Sequence, residues 1–301
     1  MKLNLREFAD RVRILDGAWG TELQHRGLPV GAAPELWNRE NPGAVEAVAR
    51  SYVEAGSEII LTNAFGANRY VLAKHNAAKR MEELAEAGVA ISRRAAGKKT
   101  KVFASVGPAG SIVMMGEVDQ GDLVEAYAET ASALVRKGAD AIVLETLGEL
   151  AELSLAFRGV RDSCDLPIMV SVSFAAGPDG TATITGNRPQ DLAKMAEDQG
   201  AEAVGANCGT GPDTYVRMAR GLASVTNLPV WIKPNAGRPE IGPNGATTFP
   251  MGPQEFVSYA PNCAESGARF IWRMLPHDAG SHWGHDSGVA RHAPEEGQVG
   301  C

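Results

Sequence analysis

Apolar positions along the chain fall into two recurring patterns. Short runs rich in β-branched residues recur at Val12–Leu15, Glu58–Leu61, Lys101–Ala104 and Ala141–Leu144, and again at Ile168–Val172, Glu202–Val204, Val230–Ile232 and Ala268–Ile271. These predict eight strands. Between them lie Ala-, Glu- and Arg-rich segments with apolar residues three and four apart, as at 43–55, 120–137 and 252–266, and several end at a glycine: Gly56, Gly138, Gly200 or Gly267. Such segments predict helices stopped by a left-handed residue. Strand, helix and strand in repetition make consecutive βαβ units, and eight of them close into an α/β fold, the (β/α)8 TIM barrel. The competing fold, an open doubly wound sheet, carries a GxGxxG turn after its first strand. Asp16-Gly17-Ala18-Trp19-Gly20-Thr21 departs from that spacing.

In such a barrel the carboxyl ends of the strands ring the active site. Here those ends are polar: Asp16-Gly17, Thr62-Asn63, Glu145-Thr146, Ser171-Val172-Ser173, Asn207-Cys208-Gly209 and Lys233-Pro234-Asn235. Carboxylates suit an ammonium, and Asn side chains with backbone amides suit a carboxylate, so the rim fits an amino-acid substrate. Each residue also has a structural reading: Asp16 as a turn cap, Glu145 as an ion-pair partner, Asn235 as a loop brace. Cys208, at a glycine-flanked strand exit, reads equally as a buried hydrophobe or as a ligand or nucleophile, whereas Cys164 and Cys263 read as structural.

Composition narrows the function. The 301 residues carry 29 Lys and Arg against 36 Asp and Glu, a net charge of -7, so no basic excess points to nucleic acid or an anionic membrane. The N-terminal residues do not read as a secretory signal, no run is long and apolar enough to span a bilayer, and four cysteines without CxxC spacing favour a reduced, cytoplasmic setting. His25 and His75 sit poorly for catalysis, and HExxH, GxSxG and Walker patterns are absent.

Taken together, the strand-end words resemble the homocysteine S-methyltransferase family, in particular the homocysteine-binding module of cobalamin-dependent methionine synthases. The matching words are Leu15–Glu22, Ile60–Ala67, Glu145-Thr146, Gly205–Cys208 and Lys233–Gly237. The resemblance implies that Asp16, Gly17, Thr21, Glu145, Asn207 and Asn235 surround the amino and carboxylate groups of homocysteine, with Asn63 and Phe65 nearby. It implies that Cys208 is the first of three zinc-binding thiolates. A free thiol of pKa near 8.5 is only about 3% thiolate at pH 7, and the thiolate takes the methyl group. A zinc ion with an open fourth position binds homocysteine as thiolate. The donor suggested by the resemblance is 5-methyltetrahydrofolate by way of cobalamin on another protein, with betaine and S-methylmethionine also open.

One departure stands out. The family places its other two zinc cysteines after strand eight in a Gly-Gly-Cys-Cys-Gly-Thr word, where this chain reads Trp272-Arg273-Met274-Leu275-Pro276-His277. Four of the six His and two of the five Trp fall after Ile271, without helical periodicity. The expectation is a barrel over 1–271 and an aberrant, disordered tail over 272–301 that lacks the eighth helix. A one-base shift near codon 272 accounts for it: reading one base later forces Gly from Trp272-Arg273 and Cys from Met274-Leu275 whatever the synonymous codons. A permitted codon set continues that frame as Gly-Gly-Cys-Cys-Arg-Thr. The alternative is a genuine tail in which His277, His282, His285, His292 or Cys301 replaces the missing ligands. The sequence thus predicts a homocysteine S-methyltransferase with weak or absent zinc and impaired activity. Two other readings stay open: an inactive amino-acid-binding barrel, and a barrel enzyme using Glu145 or Asp16 as a general base.

Overall fold

The computed structural model describes residues 2–110, 116–238, 240–241 and 247–273. The expectations for the tail from Met274 onward, including the eighth helix and any replacement ligand, lie outside the described residues.

Eight parallel strands form one sheet: β1 (Arg13–Ile14), β2 (Ile59–Leu61), β3 (Lys101–Val106), β4 (Ala141–Leu147), β5 (Ile168–Val172), β6 (Ala203–Cys208), β7 (Val230–Pro234) and β8 (Ala268–Ile271). Each of β2 to β7 pairs with the next in sequence up to β7, and β8 pairs with both β7 and β1, so the sheet curls into the expected barrel. The seam between β1 and β2 is closed by individual bonds in place of a ladder, three of which reach the strand backbone of Ile14, Leu15 and Leu61. The Glu58 N–H donates to Ile14 O at 2.8 Å, the Ser57 hydroxyl to Leu15 O at 3.0 Å, and the Leu61 N–H to Asp16 Oδ2 at 2.6 Å. The outer layer is α1 (Pro42–Glu54), α2 (Met81–Ala96), α3 (Gln120–Arg136), α4 (Leu150–Ser163), α5 (Pro189–Gln199), α6 (Pro212–Ala223) and α7, split into Pro253–Ser258 and Ala260–Glu265. Gly56, Gly138, Gly200 and Gly267 take positive φ where the helical segments end, as the sequence implies.

Strand alternation sorts side chains into two cores. Ile59, Leu61, Phe103, Ala141, Val143, Met169, Ala203, Trp231 and Phe270 fill the barrel, while their neighbours Val102, Ile142, Leu144, Ile168, Val170, Val204 and Ile232 pack outward beneath the helices. Trp231 spans the interior between Phe103 and Phe270, with ring centroids 6.3 and 5.8 Å away. Gly205 makes that possible, since a Cβ there would lie 2.2 Å from Trp231 O.

Candidate active site

Continuing the same alternation two residues beyond this apolar layer places Ser105, Glu145, Ser171, Asn207 and Lys233 on the barrel axis at the carboxyl ends, joined by Asp16. All but Lys233 are buried. A polar layer inside a barrel must satisfy itself or bind something.

Asp16 is the hub on one side. Its carboxylate accepts from Leu61 N–H and Trp19 Nε1 (both 2.6 Å) and from Lys233 Nζ at 2.8 Å. Burial alone would lower the Lys233 ammonium, but Asp16 and Glu145 together raise it above its ordinary value. Burial pushes the Glu145 carboxyl up, against the opposing pull of Lys233 and a short hydrogen bond from the Ser105 hydroxyl. Asn207 ties the other side together. Its Oδ1 accepts from Thr146 N–H (3.0 Å) and Ser171 Oγ (2.7 Å), and its Nδ2 donates to Thr146 Oγ1 (2.6 Å) and faces Glu145 Oε2 and Cys208 Sγ.

Thr146 and Cys208 both adopt left-handed φ, 64° and 59°. Non-glycine residues held there cost of order 1–3 kcal/mol and persist only where surrounding bonds impose them. The bonds from Asn207, and Tyr215 OH donating to Cys208 O at 2.6 Å, are those constraints. The strain turns the Cys208 side chain back toward Asn207 and Thr146, whose Oγ1 is 3.7 Å from Sγ. Burial, then the nearby Glu145, raises its thiol above the ordinary range.

The remaining sequence candidates sit on the same rim in different roles. Gly17 lies where a Cβ would come 2.5 Å from Arg273 O and 2.8 Å from Tyr52 Oη, so the residue type is fixed by space. Thr21 is half-buried in the short helix Trp19–His25, and Asn235 is half-buried just after β7. Asn63 turns off the axis, its amide donating to Pro34 O and Asn38 Oδ1, both at 2.8 Å. Phe65 is 41% exposed on the rim. Thr146, Ser171 and Lys233 stood among the polar strand ends read from sequence but were given no role, and Ser105 was not named. Their signal was available, since each lies two residues beyond an inward apolar residue or beside one that does.

Zinc held by three thiolates needs three converging donors. Among the described residues no group of three His, Cys, Asp or Glu side chains could hold a metal ion. Cys164 ends α4 and Cys263 is buried in α7, its thiol pushed up to about 12 by burial. Beyond Cys263 the sequence contains only Cys301. Among the described residues the rim supplies one thiol, Cys208, and that donor set does not fit a three-thiolate zinc.

A parallel eight-stranded barrel with a buried polar cluster at its carboxyl ends defines a (β/α)8 protein of the enzyme type. The sequence profile of the homocysteine S-methyltransferase family matches residues 13–271. The chain belongs to that family. It is 32% identical over 270 residues to methionine synthase of Mycobacterium leprae and 32% over 266 residues to that of Mycobacterium tuberculosis, alignments covering 84% and 83% of this chain. The chain spans only 22% of the length of these relatives. The homocysteine methyltransferase MmuM of Escherichia coli, in its metallated form, superposes with a TM-score of 0.74 at 23% identity, covering 92% of this chain and 97% of that one. Its oxidized form gives 0.73 at 22% identity over the same shares. Among the described residues, no helix is long and apolar enough to cross a membrane.

Proposed function

We propose that this chain is a homocysteine-binding methyltransferase barrel in which the substrate-holding half of the site is intact and the metal-holding half is not. The observation that carries the reading is the cluster of buried Glu145, Asn207 and Asp16 with half-buried Lys233 on the axis of a barrel of this family. Glu145 and Asp16 supply two carboxylates against the single ammonium of Lys233, and the α-ammonium of an amino acid restores the balance. Asp16 already accepts three protein bonds, so it acts chiefly by charge and by fixing Lys233 and the β1–β2 seam. Glu145 then receives the ammonium, while Lys233, Asn235, Thr21 and the backbone at Gly17 lie near the carboxylate. Cys208 lies where the substrate sulfur ends. With one thiol at that point, homocysteine stays largely a thiol at neutral pH and methyl transfer is impaired. The methyl donor, and any cobalamin- or folate-binding protein that delivers it, come from outside this chain.

Calorimetric titration with homocysteine and with methionine tests the reading. Binding of both with similar affinity, weakened in Glu145→Gln, is expected. Failure of either amino acid to bind would remove it. A single rim thiol among the described residues also favours a second reading, an amino-acid-binding barrel without transfer, which predicts the same binding and no methionine formed with any donor. The general-base reading predicts activity retained in Cys208→Ser.

A further inference from the structure

A cavity of about 490 Å³ lies outboard of this cluster, between the loops that follow β5, β6 and β7. Thr210, Gly211, Arg217 and Arg238 are among its lining residues. Three features mark it as built for an anion. It abuts the N-terminus of α6, a 12-residue helix whose cap, Gly211, has no side chain to accept from the first-turn amides. Neither Arg217 nor Arg238 is paired with a carboxylate among the described residues; Arg217 instead donates to Asp179 O at 3.2 Å and Thr214 Oγ1 at 3.3 Å, which extends its guanidinium across the wall. Thr210 is only 4% exposed, yet its hydroxyl has no hydrogen-bond partner among the described residues. A buried hydroxyl left unpaired is a standing cost that a ligand would relieve. Two carboxylates share the wall. Asp179 Oδ1 accepts from Thr181 N–H at 3.2 Å, and Asp213 lies in the first turn of α6, where it offsets the helix dipole.

We propose that this cavity is an oxyanion site, taking a carboxylate or phosphate group held by Arg217, Arg238, the α6 amides and the Thr210 hydroxyl. It opens on the catalytic face, with Thr210 two residues beyond Cys208 and Gly237 two beyond Asn235. The group it holds therefore belongs to the second substrate rather than to homocysteine, a step that rests on the proposed function.

The test uses the full chain and two probes, inorganic phosphate and acetate, titrated at constant ionic strength with chloride as the control. Saturable stabilisation by either supports the site, and the tighter probe names the chemical group. In Arg217→Gln the affinity should fall roughly tenfold or more, the loss expected for one charge-assisted bond. Thr210→Val should show opposite changes, a higher Tm without the probe and weaker probe binding, a pairing that a purely structural threonine would not give. No saturable response, or unchanged affinity in Arg217→Gln, overturns the proposal. Homocysteine binding by the same unmodified protein is measured separately, so failure of the family-based reading leaves the anion result standing, and the reverse.

Discussion

Replacing Lys233 with methionine removes the only ammonium among two buried carboxylates. Its Nζ lies 2.8 Å from Asp16 Oδ1, and the pair is 13% and 1% exposed at the side chains. Breaking a buried pair by deleting one partner costs about 3–5 kcal/mol, because the survivor is left charged and dry. At roughly 2–4 °C per kcal/mol for a large domain, Tm should fall by about 6–20 °C. The pH dependence sharpens the test. Glu145 already titrates above the usual carboxylate range because burial disfavours its charge, and Lys233 offsets only part of that. Without the ammonium its folded value rises further. A carboxyl with a folded pKa above its unfolded one carries no penalty while protonated and costs stability as pH rises from the unfolded value through the folded one. The deficit of Lys233→Met relative to the parent should therefore be smallest near pH 5 and largest near pH 8, measured by urea unfolding. Adding Asp16→Asn should recover part of it, since the two positions touch. A loss below about 1 kcal/mol that does not vary with pH would mean that the pair is solvated, and the electrostatic account of the site would fall.

The other predictions concern binding, packing and the metal. Glu145→Gln should weaken homocysteine binding by roughly tenfold to a hundredfold, the value of one hydrogen bond to a charged group, with little change in Tm. In the parent, affinity should decline on acidification at a higher pH than an ordinary carboxylate would give, because the raised Glu145 must lose its proton to meet the ammonium; a flat profile from pH 5 to 8 would count against that contact. Gly205→Val should cost about 1–3 kcal/mol or more by overpacking against Trp231, and a neutral result in denaturant unfolding would contradict the interior packing. Elemental analysis of the purified protein should find well under one zinc per chain, and a chelator should leave homocysteine affinity unchanged. Rereading codons 270 to 277 from the source DNA should reveal the base whose removal restores Gly and Cys codons; an unaltered reading means that the tail is the gene's own.

Much of this architecture could be read from the sequence, because parallel strands buried on both faces leave dense apolar runs and glycines stop the intervening helices. The strand ends were harder. The apolar runs of β3, β4 and β6 stop at Ala104, Leu144 and Val204, yet the strands continue to Val106, Leu147 and Cys208. Polar residues that a propensity reading assigns to loops are in fact ladder residues, such as Asn207 opposite Lys233 and Cys208 opposite Pro234. Extending the two-residue period past the apolar run would have added Ser105 and Lys233 to the site. The same extension would have misled at Asn63, whose amide is drawn off the axis to Pro34 and Asn38 after β2 ends at Leu61. The strain at Thr146 and Cys208 has no local sequence signature, since it is held at Thr146 by the Asn207 side chain from another strand and at Cys208 by the Tyr215 hydroxyl from the following helix.

Fold and metal chemistry separate at β8. Phe270 points into the barrel, and two residues on Trp272 would be the eighth strand's contribution to the polar layer. Trp272 instead belongs to the outer core, its ring 5.1 Å from Phe256, with its indole N–H unpartnered among the described residues. The backbone there still completes the closure: Leu15 N–H donates to Ile271 O at 2.8 Å, and Arg273 N–H to Asp16 O at 3.3 Å. Every side chain that builds the Asp16–Lys233–Glu145–Asn207 cluster comes from β1 or from β3 to β7 and their exits. The barrel can therefore close and keep its substrate-facing charges whatever side chains follow Ile271, while the two thiolates that the family resemblance implies beside Cys208 would have to come from that segment. A variant with Gly-Gly-Cys-Cys at 272–275 should therefore gain zinc without any change in the Glu145-dependent part of amino-acid binding, measured as the Glu145→Gln effect on methionine affinity. If restoring the cysteines also changed that effect, the two halves of the site would be coupled through β8 and the separation argued from its geometry would be wrong.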